Sequence, residues 1–232
     1  MAVVLIPGFW LDATSWDEVV PTIERTGHVV HALTLPGLQS PDADRRGIRL
    51  ADHVDAVVGA VDRIAGPVVL VGHSGGGPVA HAAADARPDR IARVVHVDTV
   101  PLPAGRAINA GLPVVDGEIP LPDWSAFDAE DLVDLDDSLR ARFRARAVPQ
   151  PAAVAADPQV LVDDRRLDVP ATVVACEFTA DQLRGWMEGG DPDLVELAAL
   201  RDVTFVDLPT GHWPQFTRPV ELGEVIVGAL GP

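Results

Sequence analysis

Two short stretches carry side chains that could do chemistry together. The first is Val68-Val69-Leu70-Val71 running into Gly72-His73-Ser74-Gly75-Gly76, a serine in G-x-S-x-G spacing followed by the small residues Gly77-Pro78-Val79-Ala80. An apolar run, a glycine-framed serine and a helix-compatible tail read as strand, sharp turn and helix. A serine at such a turn is pressed into a strained backbone conformation that raises its hydroxyl above the strand end. Glycines flank it because a Cβ there would collide with the neighbouring strand or helix. Gly75 opens the helix, where free backbone N–H groups favour a developing negative charge. A serine hydroxyl is a poor nucleophile at neutral pH and needs a base within hydrogen-bond reach. The second stretch, Thr210-Gly211-His212-Trp213-Pro214, supplies one, because His212 follows the last apolar run in a glycine-flanked loop. The other six histidines read as structural. His28 and His31 flank a strand, His53 and His81 fall on helices, His96 lies inside a strand, and His73 points away from the serine beside it.

The elements that must position these residues alternate. Val3–Ile6, Val29–Leu35, Val68–Val71 and Ile91–Val97 are apolar runs of strand length. Between them, Ser15–Arg25 and Leu50–Ile64 carry apolar residues at helical spacing, as with Val54, Val57, Val58 and Val61. Continuous apolar strands alternating with amphipathic helices predict a parallel sheet covered on both faces. The rhythm breaks over residues 100–168. Pro101–Asp123 is aperiodic, and Asp123–Arg146 reads as one helix with an acidic front and a basic end, suited to the helix dipole and presenting a solvated face. The alternation resumes with strands at Ala171–Cys176 and Val203–Leu208, a capping box at Thr179–Gln182, and a closing helix at Pro219–Leu230. The expected organisation is therefore an α/β core over residues 1–99 and 169–232, with 100–168 inserted as a cap.

Composition narrows the function. The net charge of −17 repels nucleic acid and anionic membranes, so neither is an expected partner. All 18 basic residues are arginine and there is no tyrosine, which excludes lysine Schiff-base chemistry, a lysine base and a tyrosine acid. The single cysteine, Cys176, rules out an internal disulfide and fits a reducing compartment. No membrane-length apolar run and no basic leader precede the first strand, which points to a cytoplasmic location. No cofactor is implied, and no His-x-x-x-His or Cys/His cluster suggests a metal.

With Pro7-Gly8-Phe9-Trp10 after the first strand, Gly72–Gly76 after the third and Gly211-His212-Trp213 after the last, the chain resembles the α/β-hydrolase family. The likeness covers essentially everything outside residues 100–168. The short cap and the Phe9-Trp10…Trp16 opening are most similar to the small methylesterase and hydroxynitrile-lyase branch and its bacterial relatives. That resemblance implies an α/β-hydrolase fold: a mostly parallel sheet of about six strands, because the family's first hairpin is missing, with helices on both faces and a helical cap. It implies backbone N–H groups of Phe9 and Gly75 as the oxyanion donors, with Pro7-Gly8 standing where His-Gly is usual. It implies an acid after the strand that precedes the last one. Glu177 is the first choice there, with Asp98 and Asp181 as alternatives. Trp10, Trp124, Phe127 and Trp213 are expected to line an apolar pocket. The expected activity is a serine hydrolase cleaving a small neutral carboxylic ester or lactone through an acyl-enzyme. The same residues would serve a cofactor-free lyase or a perhydrolase, although the lyases of this branch use a cap lysine that this chain lacks. A non-catalytic ligand-binding protein on the same fold is the remaining alternative. The partner is a small molecule, with the protein itself a monomer or homodimer.

Overall fold

In the computed structural model, which describes residues 1–231, the chain forms one six-stranded, wholly parallel sheet and a separate two-stranded ladder. In chain order the elements are β1 (Ala2–Ile6), α1 (Val20–Glu24), β2 (Val29–Ala32), α2 (Leu50–Arg63), β3 (Val68–His73), α3 (Gly76–Ala86) and β4 (Ile91–Val97). The inserted stretch holds β5 (Glu118–Ile119), α4 (Asp137–Arg146), β6 (Gln150–Pro151) and α5 (Ala152–Ala156). The chain then returns with β7 (Ala171–Ala175), α6 (Ala180–Glu188), α7 (Val195–Ala199), β8 (Val203–Asp207), α8 (Pro214–Thr217) and α9 (Pro219–Ala229). The sheet order is β2-β1-β3-β4-β7-β8, so β3 and β4 sit at its centre and the last two strands extend one side. Among the described residues no helix is long and apolar enough to cross a membrane.

The alternating pattern works because both faces of the sheet are dry. One side chain in each pair along β1 and β3 enters a core with α2 and α3 (Val4, Ile6, Val68, Leu70), and its neighbour enters the opposite core with α1 and α9 (Val3, Leu5, Val69, Val71). Burying a Val or Leu in such a core is worth about 1.5–3 kcal/mol.

Two stretches read as single helices do not form them. Ser15–Arg25 divides into a 3₁₀ turn, Ala13–Trp16, and the short α1, which Pro21 opens. Pro21 lacks the N–H that would continue a helix through it. Asp123–Arg146 keeps only a 3₁₀ turn at Trp124–Ala126 and α4. Its acidic front spends its carboxylates on local backbone. Asp131 accepts from the Asp128 N–H at 3.0 Å, and Asp136 caps α4 by accepting from the Leu139 N–H at 2.8 Å. Asp134 adopts φ 63°, which no helix tolerates. Short acidic side chains compete with the helical ladder in just this way.

The turn after β3 depends on close approach. A Cβ on Gly72 would lie against the Gly76 carbonyl oxygen and only 2.7 Å from both the Gly76 carbonyl carbon and Gly77 Cα. By contrast, a Cβ on Gly59 in α2 would meet nothing nearer than the Arg63 guanidinium at 3.4 Å. Gly72→Ala is therefore expected to cost on the order of 1–3 kcal/mol or more in chemical denaturation, as overpacking does. Gly59→Ala is expected to be neutral or to stabilise by up to about 1 kcal/mol, the helix-propensity difference.

Candidate active site

Parallel strands deliver their carboxyl ends to one edge, which is where open α/β sheets place ligands. The ends of β1, β3 and β4 each turn on a non-glycine residue in the left-handed region: Trp10 (φ 65°), Ser74 (φ 50°) and Asp98 (φ 47°). Gly8 makes room for this convergence, since a Cβ there would meet His73 Nδ1 at 2.7 Å and Ser74 Cβ at 2.9 Å.

His212 arrives from the loop after β8. Its Nε2 lies 2.8 Å from Ser74 Oγ, and its Nδ1 lies 2.7 Å from Asp98 Oδ2. With Nδ1–H donating to the carboxylate, Nε2 is left unprotonated toward the serine. Asp98 is held in turn, its Oδ1 accepting the N–H groups of Cys176 at 3.0 Å and Glu177 at 3.2 Å, with its side chain fully buried. His73 anchors the loop from behind. Its Nε2 donates to the His212 carbonyl at 2.6 Å, because a carbonyl can only accept, and its Nδ1 accepts from the buried Gln215 at 3.2 Å. Burial, and then the nearby His212, push the His73 ring down to about 3, so it stays neutral.

The geometry corrects the expected acid. Glu177 stands in the expected place after β7, but its Oε2 is 3.5 Å from Nδ1, outside good hydrogen-bond range, while its backbone N–H serves Asp98. Asp98 reaches the ring because the left-handed turn at its own Cα lifts the carboxylate over the sheet edge. Asp181 stands apart: it lies exposed in the first turn of α6, which Thr179 caps, and pairs with Arg184 at 2.7 Å.

The His212 imidazole feels opposing influences. Burial lowers its proton affinity, but the hydrogen bond to Asp98 and the nearby charges of Asp98 and Glu177 outweigh burial and raise it well above the ordinary histidine value. Cys176, next to Asp98, is buried and its thiol is pushed far up by that burial, so it is no competing nucleophile.

Ser74, Gly75, Phe9 and His212 open into a cavity of about 610 Å³. The Phe9 ring packs against Gly75, where a Cβ would meet its Cε1 at 2.6 Å and its Cδ1 at 2.7 Å. Of the four expected pocket aromatics, Trp10 and Phe127 line the cavity. Trp124 and Trp213 do not: they stack edge-to-face 5.8 Å apart and pack with Phe143, 5.5 and 5.3 Å away, into a cluster that seats the inserted segment. Trp213 follows His212 directly, and its ring stands edge-to-face against the imidazole, centroids 5.1 Å apart. The remaining walls are Leu102, Ile108, Leu112 and Pro113 from the aperiodic stretch, together with Asp131. No periodicity marks these residues, and Asp131 belongs to a run whose charges read as solvated. Asp98, Glu177 and His212 also lie close enough to share an ion, but Asp98 and Ser74 already occupy the two nitrogens of the imidazole.

The model of the alpha/beta hydrolase family matches residues 3–225. The chain belongs to that family. Its whole length is also similar to a pyrethroid hydrolase of Sphingobium wenxiniae, at 27% identity over 241 residues covering 97% of this chain and 85% of that one. Among solved structures it resembles an extracellular alpha/beta-hydrolase from a Paenibacillus species (TM-score 0.77, 23% identity, 99% and 98% of the two chains). It also resembles a methylesterase from Arabidopsis (TM-score 0.76, 14% identity, 99% and 98% of the two chains).

Asp98 and Glu177 both raise the proton affinity of His212, Asp98 through the shorter contact. Asp98→Asn should lower the His212 titration midpoint more than Glu177→Gln does, by at least about one pH unit, as followed by the Cε1–H resonance in NMR titration.

Proposed function

We propose that this protein is a carboxylic ester hydrolase that works through an acyl-enzyme on Ser74. The observation that carries the proposal is the continuous chain Asp98–His212–Ser74, with contacts of 2.7 and 2.8 Å, opening on an apolar cavity. In this reading His212 Nε2 takes the Ser74 proton as Oγ attacks the ester carbonyl. The backbone N–H groups of Phe9 and Gly75 receive the oxyanion. The protonated imidazole, stabilised by Asp98, then gives its proton to the leaving alcohol. Water, activated by the same nitrogen, releases the acid and restores the serine. The names of its relatives, a pyrethroid hydrolase and a methylesterase, agree with ester cleavage.

The cavity argues for the substrate class. A volume of about 610 Å³ lined by Leu102, Ile108, Leu112, Phe127 and Trp10 suits a hydrophobic ester bulkier than the small one the sequence suggests. Asp131 and Glu177 in the wall, with no arginine among the lining residues, disfavour a substrate carrying its own carboxylate. The ester is therefore uncharged or at least not anionic.

Ser74→Ala should lose ester turnover by a factor on the order of 10⁴ or more, and Asp98→Asn by on the order of 10³–10⁴ at neutral pH, whereas Glu177→Gln should stay within about tenfold. Rates on p-nitrophenyl esters of graded chain length measure all three. A fluorophosphonate probe should label the native protein at Ser74. An unlabelled serine together with unchanged turnover in Ser74→Ala would overturn the reading, and no labelling with no turnover would favour a binding protein instead.

A further inference from the structure

Hydrophobicity alone would turn the segment after α5 the other way round. Gln159 is 2% exposed, while Val160 and Val162 close after it are 69% and 83% exposed. A chain that buries a carboxamide and leaves two valines in water does so because specific bonds hold the amide. Those bonds run in two directions. The backbone of Gln159 pairs with the aperiodic stretch that walls the cavity. Its N–H donates to the Arg106 carbonyl at 2.7 Å, and its carbonyl accepts the Gly105 N–H at 2.8 Å. Ala107 bridges Pro158, and the Asn109 N–H reaches the Ala155 carbonyl at 2.9 Å. Ile108 lies between these two fastenings, and with Leu112 it forms part of the cavity wall.

The side chain of Gln159 reaches the helix that follows the serine. Its Nε2 donates to the Pro78 carbonyl at 2.9 Å, a buried contact. Pro78 stands one turn beyond Ser74 and lines the same cavity. Its carbonyl belongs to α3, whose ladder already offers it the N–H four residues on, so the amide takes the second lone pair. The Gln159 Oε1 is buried without a hydrogen-bond partner. The acceptor end therefore gains nothing from burial, and an apolar side chain of the same length would fill the space without that loss. The donor end fixes a distance. Through it, residues 105–109 are tied to the first turns of α3, beside Ser74.

We propose that Gln159 is a positioning residue for substrate choice: its amide holds the Ile108–Leu112 wall at a set distance from Ser74 and so decides how long a hydrophobic ester the cavity takes. This rests on Ser74 being the nucleophile of the proposed ester hydrolase. Gln159 does not itself line the cavity and acts through Ile108 and its neighbours. A short ester held at Ser74 leaves that wall untouched. A long one rests on it, and loses contact when the wall drifts.

The test compares Gln159→Met with the native chain on two series of neutral esters, one graded in acyl length and one in alcohol length. Met keeps the length of the side chain and removes the donor. In at least one series, kcat/KM for a long ester relative to the shortest should fall by about fivefold or more, mainly through KM. The rate at which a small fluorophosphonate labels Ser74 should stay within about twofold. Loss of fold would scale every ester and the labelling alike, because only folded protein reacts. An equal change on all esters, or an unmoved ratio in both series, overturns the proposal. In an Ile108→Ala background the same substitution should move the ratio by less than half as much, and an undiminished shift there also overturns it. Gln159→Asn, whose amide is one methylene short of Pro78, carries the same test should the Met variant not fold. Hydrogen exchange reads the wall without any substrate. In Gln159→Met the Gly105 and Asn109 amides should exchange at least about fivefold faster while those of β3 are unchanged. If the native protein turns over no ester, the hydrolase reading fails, and this exchange pattern still decides whether Gln159 holds the wall. Unchanged Gly105 and Asn109 amides overturn it.

Discussion

Three strained residues at the ends of three adjacent strands hold this site together. Trp10, Ser74 and Asp98 all lie in the left-handed region, in the turns that follow β1, β3 and β4, which are neighbours in the sheet. Each such residue costs on the order of 1–3 kcal/mol and persists only where its surroundings over-determine it. Here they do. Trp10 gives its indole N–H to the Ile119 carbonyl at 3.0 Å and receives the Val148 N–H at 3.0 Å. The Ser74 N–H is held by the Val97 carbonyl at 3.1 Å, and the Asp98 N–H by the Val174 carbonyl at 2.8 Å. For Ser74 and Asp98 a strand-end hydrogen bond is kept while the side chain is thrown above the edge. An ordinary extended residue would send the hydroxyl and the carboxylate onto a face of the sheet, beneath the covering helices and out of reach of a histidine arriving from β8.

The inserted segment depends on that edge and also completes it. Its aromatic cluster, Trp124, Phe127 and Phe143, packs around Trp213, the residue after His212. Asp134 adds a polar tie, pairing with Arg218 at 2.9 Å and receiving the Thr210 hydroxyl at 3.3 Å. The loop carrying the histidine is thus fastened from the cap side by apolar stacking, ion pairing and the backbone bonds of the Gly211 N–H to Val133 and the His212 N–H to Asp131, and from the core side by His73. Such a loop keeps its imidazole where proton transfer needs it, because several independent contacts would have to fail together to release it.

Charge gives the site its character. A protein of net charge −17 brings three carboxylates near one imidazole, yet only Asp98 is fully enclosed and fully hydrogen-bonded. Its carboxylate is matched by the His212 ring and by two backbone N–H groups. Glu177 and Asp131 line the cavity beside it. Elsewhere the acidic surface is balanced locally, as where Arg166 joins Asp85 and Glu196 in a buried cluster that ties α7 to α3.

The alternation of apolar strands and amphipathic helices, the G-x-S-x-G turn and the glycine-flanked His212 are local patterns, and local patterns were enough to indicate the sheet, its parallel sense, and the serine and histidine that the fold sets 2.8 Å apart. Such features are legible because hydrophobic period and turn chemistry act over a few residues. The choice between Asp98 and Glu177 was not legible. It turns on a left-handed φ at Asp98 and on a register that sets the end of β4 beside the end of β7, Val97 against Val174. The pocket walls and Asp131 were hidden for a related reason: acidic side chains in residues 123–136 spend themselves on their own backbone, which removes the helical period that would have marked an inward face. What the sequence by itself determined was the scaffold and the serine and histidine that meet at its edge. Which carboxylate joins them, and what surrounds them, only the packing of distant segments against one another decided, because distances between side chains far apart in the chain are set by the sheet and not by any local rule.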